Sequence, residues 1–426
     1  MTKPGLFDMI LNSKPIFKNR EFLRPTYTPE RLPHRDAQIH QLARILAAPL
    51  RGETPSNVLI YGKPGTGKTA TVKHVLRELE QATKVSPFKV RSVYINCEIV
   101  NTPYRVWAKL ADAFLEELKK EKGKEFLRAM GLPERVPRTG WPIDEVYRSF
   151  LKALDYNQQL CVIVLDEIDK LVRRNGDDIL YGLTRINSEL VKAKVSIIGI
   201  SNDLNFLDFL DGRVRSSLGQ EEIVFPPYNA NQLRDILRER AELSFVEGVL
   251  ESGVIPLCAA HAAREHGDAR RALDLLRVAG EIAETEGAER VTTSHVRKAH
   301  EKIEVDQTVE VIRTLPLQSK LVLYTIATLA QRFPRAIRSG EVYDSYNKLC
   351  RQIGENPLTS RRVSDLISEL DLLGIINAKI INKGRHGRTK EIRLCVDPLQ
   401  VHATIQEDYR FEILSIGMIE ESGRRW

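Results

Sequence analysis

The chain has 426 residues, 42% of them apolar and 28% charged. That length exceeds what one hydrophobic core ordinarily fills, so two or three domains are expected, and the balance excludes a collagen-like or largely disordered chain. The N-terminal stretch lacks an apolar signal region and no run of about 18 apolar residues occurs, which points to a cytoplasmic protein with no membrane partner.

Cys97, Cys161, Cys258, Cys350 and Cys395 are odd in number and scattered, so they define neither a disulfide framework nor a zinc spacing and read as reduced core thiols. His261, Glu265 and His266 miss an inverted zincin pattern by one residue and read as helix surface. The net charge of +7 is unevenly placed: residues 313–397 hold 15 Lys plus Arg against 8 Asp plus Glu, a surplus equal to that of the whole chain. A concentrated basic segment attracts a polyanion by counterion release.

In chain order, the first elements are five short apolar runs separated by helical stretches: Val58 to Tyr61, Val90 to Ile95, Cys161 to Leu165, Val195 to Ile200 and Glu222 to Phe225. Near-continuous hydrophobicity predicts strands buried on both faces, hence an α/β fold with a parallel sheet and crossover helices. Directly after the first run, Gly62-Lys63-Pro64-Gly65-Thr66-Gly67-Lys68-Thr69 satisfies G-x-x-x-x-G-K-[ST] and leads, through Ala70, into a helix. Glycines let successive backbone N–H groups turn inward onto phosphate oxygens, so Gly62, Gly65, Thr66, Gly67, Lys68, Thr69 and Ala70 are the expected nucleotide loop. Lys68 is expected to reach the β and γ phosphates and Thr69 to ligate Mg²⁺. The third run ends in Asp166-Glu167, with Asp166 assigned to Mg²⁺ and Glu167 to general-base activation of water.

Further along, Asn202 follows the fourth run and is placed to position that water. Pro226-Pro227 breaks the pattern, Tyr228 offers an aromatic face for adenine, and residues from Asn229 to about Glu304 read as helices, the first opened by an Asn229/Gln232 capping box. Arg240 shares a helical face with Leu233 and Leu237, so this cation needs a partner. Arg270 follows Gly267-Asp268-Ala269 in the first turn of a lid helix, where its charge opposes the macrodipole by about 0.3–1 kcal/mol; a ligand phosphate would answer it.

From about Leu315 the order is three helices followed by two apolar strands, Ile375 to Ile381 and Glu391 to Val396, the order of a winged helix. In the third helix Val363, Leu366, Ile367, Leu370 and Leu373 are expected to line one face, leaving Ser360, Arg361, Arg362 and Ser364 at the end that enters a major groove. Lys383, Arg385, Arg388 and Lys390 on the hairpin tip and its exit are expected to reach phosphates or a minor groove.

Pro29 to Arg35 (PERLPHR), Gly62 to Thr69, LDEIDK at 165–170, LDGRVRSSL at 210–218, FPPY at 225–228 and GDARRALDLL at 267–276 carry a resemblance over essentially the whole chain. The chain resembles the archaeal replication initiators related to the first subunit of the origin recognition complex and to cell division control protein six. The resemblance implies an AAA+ core over 1–227, a helical lid over 228–308 and a winged-helix domain over 309–426. It implies an ATPase that binds ATP or ADP with Mg²⁺, recognises double-stranded origin DNA at the nucleoid, and helps load the replicative helicase. It makes Asn202 sensor one, Arg270 sensor two, and Tyr228 and Arg240 nucleotide contacts. Arg213, with Arg215 as the alternative, matches a finger that acts in trans on a second copy or a paralogous subunit, and Leu132 to Tyr147 resembles an inserted region that touches DNA. An ATP-gated transcription regulator and a clamp-loader-like subunit stay open as alternatives, and a switch that holds its nucleotide implies slow turnover.

Overall fold

The computed structural model describes residues 15–411 apart from 26, 49–52, 86–88, 138, 334 and 383–387. The chain divides into two compact units, Met1–Arg297 and Lys298–Trp426, with the division inside the helix Thr293–Thr314.

In the first unit five parallel strands, β1 (Val58–Tyr61), β2 (Lys89–Asn96), β3 (Gln159–Asp166), β4 (Lys194–Ser201) and β5 (Glu221–Val224), stand in the order β2-β3-β4-β1-β5. Burial follows position. Every residue of β1 and β3 and all of β4 after its first residue are buried, as strands covered on both faces must be. The two edge strands depart from the near-continuous burial expected: in β5 only Ile223 is buried, and Val224 is 58% exposed. Register puts Asn96 beside Asp166, and Tyr61 beside both Ser201 and Val224, so the C-terminal ends of the strands are level. In an open α/β sheet that level edge is where loops build a ligand site. Phe114, Phe150 and Trp107 fill the core on one side of the sheet, while Leu42, Val72 and Val75 pack on the other.

The lid is built on helices, with isolated β-bridges at Phe245 and between Leu250 and Val291. Asn229 accepts from the Gln232 backbone and the Gln232 side chain accepts from the Asn229 N–H, the reciprocal cap expected, so helix Ala230–Ser244 starts there. Helices Val254–Arg264 and Ala269–Thr285 follow, the latter capped by Asp268, whose carboxylate accepts from the N–H groups of Arg270 and Arg271.

In the second unit, helices Leu317–Arg332, Ser339–Gln352 and Ser360–Leu372 surround a core that includes Leu321, Tyr346, Val363 and Ile367. β7 (Ile376–Asn382) and β8 (Arg388–Leu394) pair antiparallel, and the two-residue β6 (Ile337–Arg338) adds to β8, giving the order β6-β8-β7. One core expectation fails: Leu373 is 49% exposed. Gly374 takes φ 71°, and the Ile375 N–H reaches back to the Leu370 carbonyl at 3.2 Å, a reversal that swings Ile375 into the core in place of Leu373.

Candidate functional site

The level strand ends of the first unit open into a cavity of about 450 Å³ lined by the glycine loop, the strand ends, the lid and the N-terminal arm. Gly65 and Gly67 take φ 70° and 88°, backbone that side chains rarely adopt. A Cβ on Gly65 would lie 1.6 Å from Oδ1 of Asp268, so the loop is glycine partly because the lid is packed directly on it.

Lys68 is buried at the start of helix Lys68–Ala82, and its ammonium donates to the carbonyls of Gly62 at 2.6 Å and Lys63 at 2.8 Å and to Oδ1 of Asn202 at 2.8 Å. Burial lowers its pKa to about 8, with Asp166 opposing the shift and Arg270 adding to it. Thr69 Oγ1 donates to Oδ2 of Asp166 at 2.7 Å, joining the loop to the end of β3. Tyr94, on β2, donates to the same oxygen at 2.5 Å, and burial followed by that bond raises its pKa. A hydroxyl and a carboxylate, both hard oxygen donors, converge beside the loop, which is the donor chemistry a magnesium ion takes.

Glu167 stands at φ 57°, a left-handed conformation that turns its side chain off the strand and starts helix Ile168–Asn175. Its carboxylate is held by the Lys170 ammonium at 2.8 Å, which also meets Glu98 at 2.6 Å. Arg270 lines the cavity on an exposed helix start. Arg240 is buried, and the partner it needs comes from the N-terminal arm: its guanidinium lies 4.5 Å from the Tyr27 ring centroid and donates to the Phe22 carbonyl at 3.4 Å. Tyr228 lines the cavity too, but Arg35 covers one face of its ring, which leaves only the other for a base. Arg213 is outside the cavity. It is exposed, donates to Asp211 at 3.0 Å and sits over Tyr181, while Arg215 lies 3.6 Å from Asp208.

Residue-level reasoning missed several members of this site. Tyr94 lacked any motif. Arg24, Tyr27 and Arg31 line the cavity from an arm whose sequence suggested only a family signature.

In the second unit Ser360, Arg361 and Arg362 are exposed at the start of helix Ser360–Leu372, which Thr359 caps by accepting from the Arg362 N–H at 3.4 Å. Arg388 begins β8; Lys383 and Arg385 lie outside the described residues. Lys390 departs from the expectation of an outward phosphate contact. Its ammonium turns inward and donates to the Ser364 carbonyl at 2.8 Å and to Ser368 Oγ at 2.5 Å. In the region 132–147, Leu132 and Val136 are buried in the first unit's core, and helix Ile143–Leu154 begins within it.

Comparison with known proteins agrees with this layout. Residues 31–198 match the AAA ATPase domain family, 234–301 the Cdc6 AAA+ ATPase-type lid domain, and 310–404 the CDC6 C-terminal winged helix domain. The chain is 56% identical over 420 residues to an ORC1-type DNA replication protein of Pyrococcus horikoshii, covering 99% of this chain and 97% of that one. It is 59% identical over 404 residues to the protein of that name from Thermococcus kodakarensis, covering 95% and 94%. Among solved structures it is similar to the Aeropyrum pernix ORC1 protein in complex with DNA, at 48% identity and a TM-score of 0.76, covering 94% of this chain and 99% of that one. Fold and site together define an AAA+ ATPase with a Cdc6-type lid and a C-terminal winged helix. The chain belongs to the ORC1-type DNA replication proteins. No described helix is long and apolar enough to cross a membrane.

Proposed function

We propose that this protein recognises duplex origin DNA through its winged-helix domain and helps load the replicative helicase, switched by ATP binding and slow hydrolysis. The observation that carries the nucleotide half of this reading is that two hydrogen-bonded pairs, Lys68 with Asn202 and Thr69 with Asp166, line one cavity. The Lys68 ammonium, now satisfied by two carbonyls and an amide oxygen, exchanges those acceptors for the β and γ phosphates. Thr69 and Asp166 would hold a magnesium ion, which when bound would supply positive charge to the phosphate oxygens. Glu167 serves as general base and Asn202 orients the attacking water. The ion pair that Glu167 makes with Lys170 supports slow turnover, because the carboxylate must leave that cation before it can reach a water. Arg270 meets the phosphates from the lid, with Tyr228 and Arg240 toward the base and ribose. Arg213, exposed and outside its own cavity, suits a finger offered to a neighbouring copy or paralogue.

The DNA half rests on the basic surplus of residues 313–397 and on the exposed Ser360, Arg361 and Arg362 at a helix start. We assign functional boundaries of 1–227, 228–308 and 309–426 to core, lid and DNA-binding domain. The deciding experiment is genome-wide footprinting of the full chain with and without ATP, beside Lys68→Ala. An ATP-dependent footprint at an origin, lost in Lys68→Ala, is expected; footprints at promoters would replace this reading with transcription control.

A further inference from the structure

Near its base the hairpin of the winged-helix domain alternates inward and outward positions. Ile376, Ala378 and Ile380 lie directly opposite Leu394, Ile392 and Lys390 across the β7–β8 pair, so these six share one face. On that face Ile376 and Ile392 are buried in the core, with Ala378 and Leu394 packed against it. Toward the tip the next pair on that face is Ile380 and Lys390; Ile380 is 67% exposed, so the apolar core ends at this pair, yet the Lys390 side chain turns back toward it. A lysine there carries its ammonium over the apolar floor to helix Ser360–Leu372, where it meets the Ser364 carbonyl at 2.8 Å and Ser368 Oγ at 2.5 Å. Ser368 Oγ in turn donates to the same Ser364 carbonyl at 3.0 Å, closing a three-atom polar cluster. The adjacent residue ties the hairpin to the preceding helix: Thr389 Oγ1 lies 3.1 Å from Ser339 Oγ, and the Lys390 N–H reaches that oxygen at 3.4 Å.

We infer that Lys390 is a positioning residue that fixes the wing against the recognition helix, and that it contributes to DNA affinity through this brace and makes no phosphate contact of its own. The inference rests on the reading of this domain as a duplex-DNA binder. A charged donor bonded to a mid-helix carbonyl and a hydroxyl adds, beyond the core contacts of Ile376 and Ile392 and the Ser339 tie, a restraint at the outer part of a hairpin whose sheet is widened by the two-residue β6. With the brace in place, strands β7 and β8 and the exposed Ser360, Arg361 and Arg362 are held as one preorganised unit.

Counterion release separates a brace from a phosphate contact. Losing a phosphate contact lowers the slope of log affinity against log salt by about 0.9, whereas losing a brace weakens binding at every salt concentration and leaves the slope unchanged. The test uses the full chain, a fluorescein-labelled mixed-sequence duplex several helical turns long, and a salt titration of Lys390→Met, which keeps the aliphatic packing, and of Ser368→Ala, which changes no charge. Both variants are expected to bind about three- to tenfold more weakly with the wild-type slope, and the double variant to lose less than the product of the two losses. Amide exchange in the DNA-free protein is expected to quicken along β7 and β8 in both variants. A reduced slope in Lys390→Met, or unaltered exchange along the hairpin, overturns the brace. A wild-type chain with no salt-dependent affinity for the duplex overturns the DNA-binding reading itself, and the exchange data still report on the brace.

Discussion

The guanidinium carbon of Arg35 lies 3.8 Å from the centroid of the Tyr228 ring, while its Nε donates to the Thr66 carbonyl at 2.8 Å and its Nη2 to the Pro226 carbonyl at 2.7 Å. One side chain, 2% exposed, thus fastens the phosphate loop to the strand exit that leads into the lid. Arg35→Met keeps the length but leaves both carbonyls without a charged donor, a loss of about 3 kcal/mol or more in urea unfolding, together with weaker nucleotide binding. Lysine at this position cannot reach both carbonyls and is expected to restore only part of the loss. A methionine variant as stable as the parent would remove Arg35 from this role.

Gly65→Ala is expected to disturb the lid as much as the loop. The new Cβ would overlap the Asp268 carboxylate at 1.6 Å, and φ 70° is itself strained for alanine. Driving Asp268 off the N–H groups of Arg270 and Arg271 removes a helix cap worth about 1 kcal/mol. Nucleotide affinity should fall steeply, and limited proteolysis of the lid should accelerate; unchanged lid protection would contradict the contact.

ATP binding should take up protons at mildly alkaline pH. Burial holds the free Lys68 amine at about 8, so it is partly neutral there, and phosphate oxygens favour its charged form. Apparent ATP affinity should therefore fall as the pH rises past 8. Calorimetry in buffers of different ionisation enthalpy measures the uptake directly, and a binding heat independent of buffer would count against Lys68 as the group that meets the phosphates.

The winged-helix domain should lose stability in mild acid. His402 is buried against Tyr324, their ring centroids 4.4 Å apart, and neither ring nitrogen has a hydrogen-bond partner among the described residues. Burial lowers its pKa below the ordinary 6.5, so the unfolded chain takes up a proton first as the pH drops. The stability this histidine contributes is complete above 6.5 and is lost as the pH falls through the folded value. His402→Phe should flatten the dependence in denaturant titrations between about pH 7.5 and 5; an equally steep loss in the variant would assign it to other groups.

Much of this architecture was legible in the residues. The five apolar runs fall on the five strands, because strands buried in a parallel sheet leave little room for polar residues. The glycine loop and Asp166-Glu167 announced themselves by spacing alone. Other parts depended on contacts between segments far apart in sequence. Tyr94 reaches Asp166 only because β2 pairs beside β3, and Tyr27 meets Arg240 only because the arm crosses the lid. The inward turn of Lys390 was hidden because a lysine near a hairpin tip ordinarily points to water, and its acceptors lie 22 and 26 positions away. Leu373 was misread because the helical period was carried past Leu372, where the reversal at Gly374 ends it.

The backbone bond from the Ala269 N–H to the Gly65 carbonyl, 3.2 Å long, pins the first turn of helix Ala269–Thr285 to the glycine loop. At 17 residues the helix is a rod of roughly 25 Å. A pivot of about 10° around the pinned end would carry Thr285 some 4 Å while Arg270 hardly travels, by the rise per residue. Helix Ala269–Thr285 is thus a lever whose fulcrum is at the glycine loop, so small adjustments there arrive magnified at the opposite end.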